Sequence, residues 1–410
     1  MSASYRPIFA TSTARAGSYL VSMLLSTNRN VTIASEPYLE LFRSLRNAIV
    51  REDASPELRG AFDPASPMQD YYFSRERIGV MDVVQLGELS VRFDPGERDR
   101  FLRISAERLK LQCAELVPYV PEIRGDTYRE MFDNALAIIA KARGAEDLRW
   151  IGIKDAWTIE LFAPLARAYP DARFVAILRD PRATIHSMLR ADPATVANVL
   201  SYARHWRKLV AFILHYRQSP LFAGRLHVVR HEDLLRKPEG TARRLCAFLE
   251  VEFDPRMLDT NNYLDYATGE VWRGNSSMEE TARGIEPVRA ERWRSGLEAA
   301  AVQAIDFVCA PDMLLAGYEP LRYASEEWPE PSVLGYLMRS NGAYAKWRSD
   351  FGDPQLDFGC ELFRRALLAQ MEPPVDEDLV RRSFLFPEVY DALRKARGTA
   401  AEEPAGLLGG

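Results

Sequence analysis

The residues best suited to chemistry stand where short apolar runs of the sequence end. Five such runs can be read as strands, and each ends in or leads to a charged or imidazole side chain: Arg15, Glu36, Lys154, Arg179 and His231. The carboxyl ends of parallel strands meet at one edge of an open α/β sheet. We therefore expect three cations, one carboxylate and one imidazole at that edge, which describes an anion-binding pocket with a candidate base.

The strongest local pattern is the segment Arg179–Ser187, which reads RDPRATIHS. A predicted strand ends just before it, and Pro181 suits the first turn of a following helix because its missing N–H is not needed there. Ser187 then lies about two turns into that helix. Arg179 and Ser187 are therefore placed to contact one phosphate group.

A second anion-binding signal is the loop from Thr13 to Gly17, which joins a predicted strand to a predicted helix. The first turn of a helix presents free backbone N–H groups and the positive end of its dipole. Gly17 permits a tight turn and a close approach, Ser18 adds a hydroxyl, and Arg15 adds a charge. The GxxxxGK[ST] pattern of a Walker A loop is absent, so the loop alone identifies no particular nucleotide.

Alternating strand and helix signals position these residues. Apolar runs predict strands at Arg6–Ser12, Val31–Ser35, Trp150–Lys154, Arg173–Leu178 and Arg225–Arg230. Helical periodicity predicts helices at Ser18–Thr27, Thr158–Tyr169, Thr195–Arg217 and Glu239–Glu250. This alternation indicates an α/β fold, a P-loop-like three-layer arrangement with a central parallel sheet.

Two segments depart from the alternation. Residues 40–149 are interpreted as a large helical insertion that caps an acceptor site, with helices at Leu39–Val50, Arg98–Val117 and Thr127–Lys141 and a loop over Arg51–Tyr72. Residues 322–410 are interpreted as a helical C-terminal extension, with helices at Leu362–Gln370 and Glu388–Arg397. About the last dozen residues have a composition typical of disorder. Residues 1–321 then form the main domain.

Composition argues against several classes of protein. With 53 basic and 58 acidic residues the net charge is −5, whereas a nucleic-acid-binding protein needs a basic surface. The cysteines are too scattered for a zinc site, so we expect reduced thiols and no metal; they are Cys113, Cys246, Cys309 and Cys360. No apolar run approaches the roughly 20 residues that span a bilayer. The start lacks a signal-peptide pattern, which predicts a cytoplasmic protein; homo-oligomerisation stays open.

Together the motifs resemble the sulfotransferase family that uses 3′-phosphoadenosine 5′-phosphosulfate (PAPS), closest to its tyrosylprotein and carbohydrate branches. R-x-G-[ST] at Arg15–Ser18 and R-D-P-R-x-x-x-x-S at Arg179–Ser187 carry the resemblance. Further matches follow in order: Ser35-Glu36-Pro37, Lys154-Asp155, His231–Leu235 with Pro238, Glu291–Trp293 and Gly317–Pro320. The resemblance covers residues 5–36 and 150–321, and the other segments match no family pattern.

The resemblance implies a role for each matching residue. The 5′-phosphate of the donor would lie on Arg15, Ala16, Gly17, Ser18 and Tyr19, and its 3′-phosphate on Arg179 and Ser187. Further contacts with the nucleotide would come from His231, Ser277 and Arg292. Glu36 would be the general base, because the tyrosylprotein branch places its base there. Lys154 and Arg15 would stabilise the sulfonyl oxygens and the leaving phosphate, and no metal is implied.

The chain departs from the family pattern at Ala16, where Ser is usual, at Tyr19, where Ser or Thr is usual, and at His231, where Tyr is frequent. The loop would then hold the phosphate mainly through backbone N–H groups, Ser18 and Arg15, and the contribution of Tyr19 stays open. Partial burial of Glu36 would raise its pKa, although nearby cations would oppose that. Alternatively, Glu36 forms only a structural ion pair.

The predicted activity is transfer of the sulfonyl group of PAPS to an acceptor hydroxyl by in-line displacement, with adenosine 3′,5′-bisphosphate (PAP) leaving. The acceptor can be a small molecule, natural product, lipid, sugar or tyrosyl peptide. Aromatic residues of the insertion suit an apolar acceptor or a core equally: Tyr71, Tyr72, Phe73, Phe93 and Tyr119. The alternatives are a P-loop-type nucleotide kinase and an inactive PAP-binding module whose residues 322–410 form an interaction surface.

Overall fold

The computed structural model describes residues 5–65, 70–144, 147–191, 199–266, 268–272, 284–321, 354–370 and 376–398. The chain forms two compact units. The sheet unit comprises Met1–Gly60, Val80–Leu178 and Pro220–Pro287, and the helical unit comprises Ala61–Gly79, Arg179–Ser219 and Val288–Gly410. The predicted insertion contributes to both units, and its role as an acceptor cap stays a prediction.

Five parallel strands form the sheet, in the order β2-β3-β1-β4-β5. They are β1 (Arg6–Ser12), β2 (Val31–Ser35), β3 (Trp150–Lys154), β4 (Arg173–Leu178) and β5 (Leu226–Arg230). The central strand β1 pairs with β3 on one side and β4 on the other. Their side chains are mostly buried, as expected for parallel strands covered on both faces. The predicted α/β fold with a central parallel sheet is confirmed, and only β5 starts later than predicted.

The α-helices of the described residues surround and follow these strands. In chain order they are α1 (Ser18–Ser26), α2 (Leu39–Asp53), α3 (Pro56–Ala61), α4 (Arg75–Leu86), α5 (Arg98–Gln112), α6 (Tyr128–Arg143), α7 (Phe162–Ala168), α8 (Pro181–Ala191), α9 (Val199–Gln218), α10 (His231–Arg236), α11 (Pro238–Phe248), α12 (Trp293–Gly296), α13 (Ala299–Leu315), α14 (Pro354–Ala369), α15 (Glu377–Phe384) and α16 (Pro387–Gly398).

The loop predicted over Arg51–Tyr72 is wrong in its first part. Helix α2 continues to Asp53, and α3 begins at Pro56. A proline fixes a helical φ and needs no hydrogen bond in the first turn. Pro56 therefore starts a helix within the segment that was predicted to be a loop.

Two predicted helices are shorter than their periodicity suggested. Helix α5 ends at Gln112, and a 3₁₀ run with two internal prolines follows over Ala114–Glu122. Prolines lack the N–H that an α-helix requires, so the α-helical pattern cannot continue there. The predicted helix Thr158–Tyr169 begins as a 3₁₀ turn at Ile159–Leu161 and becomes α-helical only in α7.

Helices α2 and α6 of the predicted insertion pack directly on the sheet. The ring of Phe132 on α6 lies 6.2 Å from that of Phe9 on β1 and 5.0 Å from that of Phe42 on α2. Thr127 and Glu130 form a capping box that starts α6. Part of the insertion is therefore core of the sheet unit.

The helical unit has an ionic core around α9. Arg204 and Arg207 are fully buried, and both donate hydrogen bonds to the buried carboxylate of Glu361 on α14. Arg364, also on α14, pairs with Asp312 of α13 at 3.0 Å. One face of α14, which belongs to the predicted C-terminal extension, is therefore packed into this unit.

The aromatic residues considered for acceptor binding are largely core. Tyr71 and Tyr72 are buried, and the cationic ends of Lys208 and Arg207 lie 5.2 and 4.9 Å from their rings. Phe93 is buried against Phe101 of α5, with ring centroids 5.6 Å apart. These three positions serve packing, so they do not support the idea of an aromatic acceptor pocket.

Candidate active site

The loop between β1 and α1 has the backbone of a tight anion-binding turn. Arg15 and Gly17 both adopt left-handed conformations, with φ values of 63° and 77°. Gly17 is the N-cap of α1 and makes no side-chain capping bond, so the first-turn N–H groups point toward the loop. Ser18 accepts a hydrogen bond from Ser12 at 3.0 Å, which fixes its hydroxyl.

His231 packs against this loop at Gly17. A Cβ atom on Gly17 would lie 2.2 Å from Nδ1 of His231, closer than any real contact. His231 is buried and opens α10 directly after β5. The predicted loop and the predicted imidazole are thus in contact, and only glycine fits between them.

Glu36 is held in an unusual position at the end of β2. Its φ is 58°, and its backbone N–H donates to the carbonyl of Lys154. Its Oε1 accepts from Nζ of Lys154 at 3.0 Å, and its Oε2 accepts from Nη2 of Arg108 at 3.3 Å. The side chain of Glu36 is 25% exposed, whereas that of Lys154 is 1% exposed. A buried lysine and a guanidinium therefore hold a carboxylate that solvent still reaches.

The electrostatics of Glu36 correct the sequence-based expectation. Burial opposes its ionisation, but Lys154, Arg108 and Arg15 together outweigh burial and hold the pKa of Glu36 below its ordinary value. The structure therefore contains the ion pair that was considered as an alternative. It also keeps Glu36 ionised at neutral pH, which a base requires.

Asp155, the next residue after Lys154, is a fully buried acid in the same neighbourhood. Its Oδ2 accepts from the backbone N–H of Tyr38 at 3.0 Å, while its Oδ1 has no hydrogen-bond partner among the described residues. Burial raises the pKa of Asp155 to about 7; Arg108 opposes that rise and Glu36 adds to it. A second carboxyl with a perturbed pKa thus lies beside the first.

Backbone strain is concentrated at this sheet edge. Arg15 follows β1, Glu36 follows β2 and Trp157 follows β3, and all three have positive φ values. Such conformations cost about 1–3 kcal/mol each and persist where the surroundings over-determine them, often at functional sites. The strain agrees with a site built at the carboxyl ends of the strands.

The hydroxyl of Tyr19 is engaged in hydrogen bonds with a distant segment of the chain. Its hydroxyl donates to Asp265 at 3.2 Å and accepts from the backbone N–H of Tyr266 at 3.0 Å. The phenol therefore ties the first turn of α1 to the segment after β5. This contact gives Tyr19 a structural role, and whether it also contacts the donor stays open.

In the helical unit the segment Arg179–Ser187 is organised by Asp180. The Asp180 carboxylate accepts from the backbone N–H of Arg182 at 2.8 Å and pairs with its guanidinium at 2.7 Å. Arg182 also reaches Asp306 and stacks over Trp293. Asp180 and Arg182 therefore stabilise the start of α8. Ser187 is buried in that helix.

Positive charge is concentrated around His186 on α8. Burial lowers the pKa of His186, and the nearby guanidiniums of Arg190, Arg179 and Arg292 lower it further. Two of these arginines, Arg179 and Arg292, were predicted to bind the nucleotide. Arg190 was missed, although it follows Ser187 by about one helical turn. His186 therefore lies near three arginine side chains of this unit.

Not every predicted site residue can be placed. Ser277 lies outside the described residues. Arg108 was not predicted, because it lies on α5, far from every motif in the sequence. Within the described ranges no set of three or more His, Cys, Asp or Glu side chains is arranged to hold a metal ion, and no helix there has the length and apolar character to cross a membrane.

Comparison with known proteins adds independent findings. A family model described as the sulfotransferase family matches residues 7–255. A protein-tyrosine sulfotransferase of Drosophila melanogaster is 23% identical over 54% of this chain and 44% of its own length. Protein-tyrosine sulfotransferase 1 of Danio rerio is 28% identical over 51% of this chain and 61% of its own length. Carbohydrate sulfotransferase 5 of Homo sapiens is 25% identical over 38% of this chain and 42% of its own length.

The chain thus spans about half the length of these relatives. Among solved structures, the sulfotransferase domain from the Synechococcus PCC 7002 olefin synthase is similar at 19% identity, with a TM-score of 0.42 over 73% of this chain and 91% of that one. The resemblance inferred from the motifs, including its two branches, is confirmed by the family match and these relatives.

Proposed function

The chain belongs to the sulfotransferase family, and on that premise we propose that it transfers the sulfonyl group of PAPS to an acceptor hydroxyl with Glu36 as general base. The observation that carries the proposal is the contact of Glu36 with Lys154 beside the loop of Arg15 and Gly17. This contact places a solvent-accessible carboxylate and two cations where three strands end.

The loop of the sheet unit fits one phosphate of an adenosine bisphosphate donor. The cradle at Gly17 has no space for a side chain, and the first-turn N–H groups of α1 suit the 5′-phosphate. In the helical unit, Arg179 and Ser187 are the residues that the family resemblance assigns to the 3′-phosphate, and a guanidinium suits a phosphate through charge-assisted hydrogen bonds. Each unit thus offers a cationic site of the kind that the family resemblance assigns to one phosphate.

In the proposed reaction the acceptor oxygen forms a bond to sulfur, the bond from sulfur to the 5′-phosphate oxygen breaks, and PAP leaves with that electron pair. Glu36 takes the acceptor's proton on a carboxylate oxygen. Lys154 and Arg15 stabilise negative charge on the transferred group and the leaving phosphate. The protein otherwise positions the reactants, as in phosphoryl transfer.

The chemical class of the acceptor is proposed from the relatives and not from the site. Relatives named for protein tyrosine and for carbohydrate make a tyrosyl peptide and a sugar hydroxyl the first candidates. Small molecules, natural products and lipids complete the set, because donor-binding motifs do not determine the acceptor. A labelled-PAPS assay across these five classes identifies it.

Nucleotide preference separates this proposal from the kinase alternative, and sulfonyl transfer from labelled PAPS separates it from an inactive PAP-binding module. We expect PAP to raise the thermal stability of the protein, by about 2.7 kcal/mol at 100 times its Kd, and ATP with magnesium to do so far less. A preference for ATP with magnesium would instead support a kinase. Stabilisation by neither nucleotide would also overturn the proposal, and stabilisation by PAP without sulfonyl transfer from PAPS would support the inactive PAP-binding module.

Gly17→Ala tests the 5′-phosphate site directly. The new Cβ would clash with His231 and the left-handed backbone would strain, so we expect PAP affinity to fall about tenfold or more. Gly144→Ala is the matched control, since Gly144 also has a positive φ but nothing lies near its Cβ position. Isothermal titration should show normal PAP binding for the control. Equal affinities of both variants would reject the loop as the phosphate site.

A further inference from the structure

Helix α5 places one guanidinium against the proposed catalytic carboxylate. Nη2 of Arg108 contacts Oε2 of Glu36 at 3.3 Å, while Lys154 contacts Oε1 at 3.0 Å. Each carboxylate oxygen therefore has its own cation. The two cations approach from different elements, α5 and β3, so together they fix the plane of the carboxylate as well as its position.

Several buried polar atoms on or close in sequence to the residues of this contact have no hydrogen-bond partner among the described residues. Nε of Arg108, Oγ of Ser105 one turn earlier on α5, and Oδ1 of Asp155 are buried and have no hydrogen-bond partner among the described residues. Oγ of Ser35, next to Glu36, is a further such atom. Buried polar groups are nearly always hydrogen-bonded. Such atoms are available to an ordered water molecule or to a bound ligand.

We propose that Arg108 is a positioning residue that, together with Lys154, holds the Glu36 carboxylate in the orientation that receives the proton of the acceptor hydroxyl. The inference rests on the proposed function and deepens it. It assigns part of the catalytic apparatus to α5, which lies in the segment predicted only to cap the acceptor.

The charges facing Glu36 give Arg108 a distinct role. Three cations face it, namely Lys154, Arg108 and Arg15, and Asp155 is the neighbouring carboxyl. In the proposed complex the donor's phosphate and sulfonyl oxygens attract Arg15 and Lys154. Arg108 then remains as the cation that is dedicated to Glu36 throughout the reaction.

The test is the pH dependence of kcat/KM in Arg108→Ala, Arg108→Gln and Arg108→Lys. An opposite charge at this distance lowers a carboxyl pKa by about 1–3 units, so its loss should move the acid limb of the profile upward by about one pH unit. Arg108→Lys should restore part of the shift. Arg103→Ala is the control, because Arg103 is an exposed arginine on the same helix and its loss should leave the profile unchanged.

A second comparison isolates action through Glu36. In a Glu36→Gln background Arg108→Ala should change residual turnover little, because the group it positions is gone. PAP affinity should stay normal in every folded Arg108 variant. An unshifted acid limb in two folded Arg108 variants, with an active wild type, would overturn this inference alone. A wild type that transfers no sulfonyl group from PAPS would instead overturn the proposed function and this inference with it.

Discussion

Glu36→Gln is expected to lower kcat for sulfonyl transfer by about 10²-fold or more while PAP binding is retained. The amide keeps the shape of the side chain but cannot accept the acceptor's proton. It also leaves Lys154, which is 1% exposed, without its carboxylate partner. Steady-state kinetics with labelled PAPS and titration with PAP measure the two quantities separately.

Glu107→Gln is the control for this variant. Glu107 also lies on α5, next to Arg108 in the sequence, but it is 67% exposed and pairs with Lys110 of the same helix. Its replacement should leave kcat within about twofold, since exposed ion pairs contribute little. If Glu36→Gln retained near-normal turnover, Glu36 would be a structural ion-pair partner and another group would be the base.

The ionisation of Glu36 should also determine how activity depends on pH. Cations hold the pKa of Glu36 below its ordinary value in the free protein, so the acid limb of kcat/KM for the donor should fall below the ordinary glutamate range. Activity is lost as pH drops, because the base must be ionised. If the bound donor attracts Lys154 and Arg15, the acid limb of kcat should lie at higher pH than that of kcat/KM.

The sheet could be predicted from the sequence because its information is local. Strands such as Trp150–Lys154 are apolar on both faces, which is typical of parallel strands that helices cover on both sides. The loop at Gly17 and the segment starting at Arg179 carry their own turn and helix signals. Glu36 and Lys154 could be placed near each other because parallel strands end at the same edge.

The parts that sequence reasoning missed depend on contacts between distant segments. Arg108 lies on an amphipathic helix whose sequence contains no functional motif. The packing of that helix brings Arg108 to Glu36. Tyr71 and Tyr72 looked equally suitable for ligand binding and for core, and burial decides between the two. Tyr19 could not be interpreted, because its partner Asp265 belongs to a segment with no periodic signal.

The ionic core of the helical unit is the clearest example of such a long-range contact, and it carries the second large prediction. Arg204 and Arg207 are fully buried on α9 and contact Glu361 of α14 at 2.8 and 2.5 Å. Burial alone would raise the pKa of Glu361, but Arg207 and Arg204 overcome it and lower that pKa to about 2. Removing the carboxylate would leave two buried guanidiniums without their shared counter-ion.

Glu361→Ala is therefore expected to lower the free energy of unfolding by about 3–5 kcal/mol, the usual result of removing one partner from a buried ion pair. Asp391→Ala on α16 is the control, because Asp391 is exposed and its loss should matter by no more than about 0.5 kcal/mol. Urea unfolding at neutral pH measures both. Equal stabilities of the two variants would show that α14 is not part of the core.

The pH dependence and a compensating variant make the test specific. A carboxylate with a lowered pKa stabilises the fold above its unfolded pKa, and that contribution disappears as pH falls through its folded value. The difference between wild type and Glu361→Gln should thus shrink from about pH 4.5 toward pH 2. Replacing Arg204 and Arg207 by Met together with Glu361→Leu should recover much of the loss, because a well-packed apolar set needs no counter-ion. Such recovery would show that the loss in Glu361→Ala comes from two uncompensated guanidiniums, and that residues 354–370 pack on α9 as part of the helical unit.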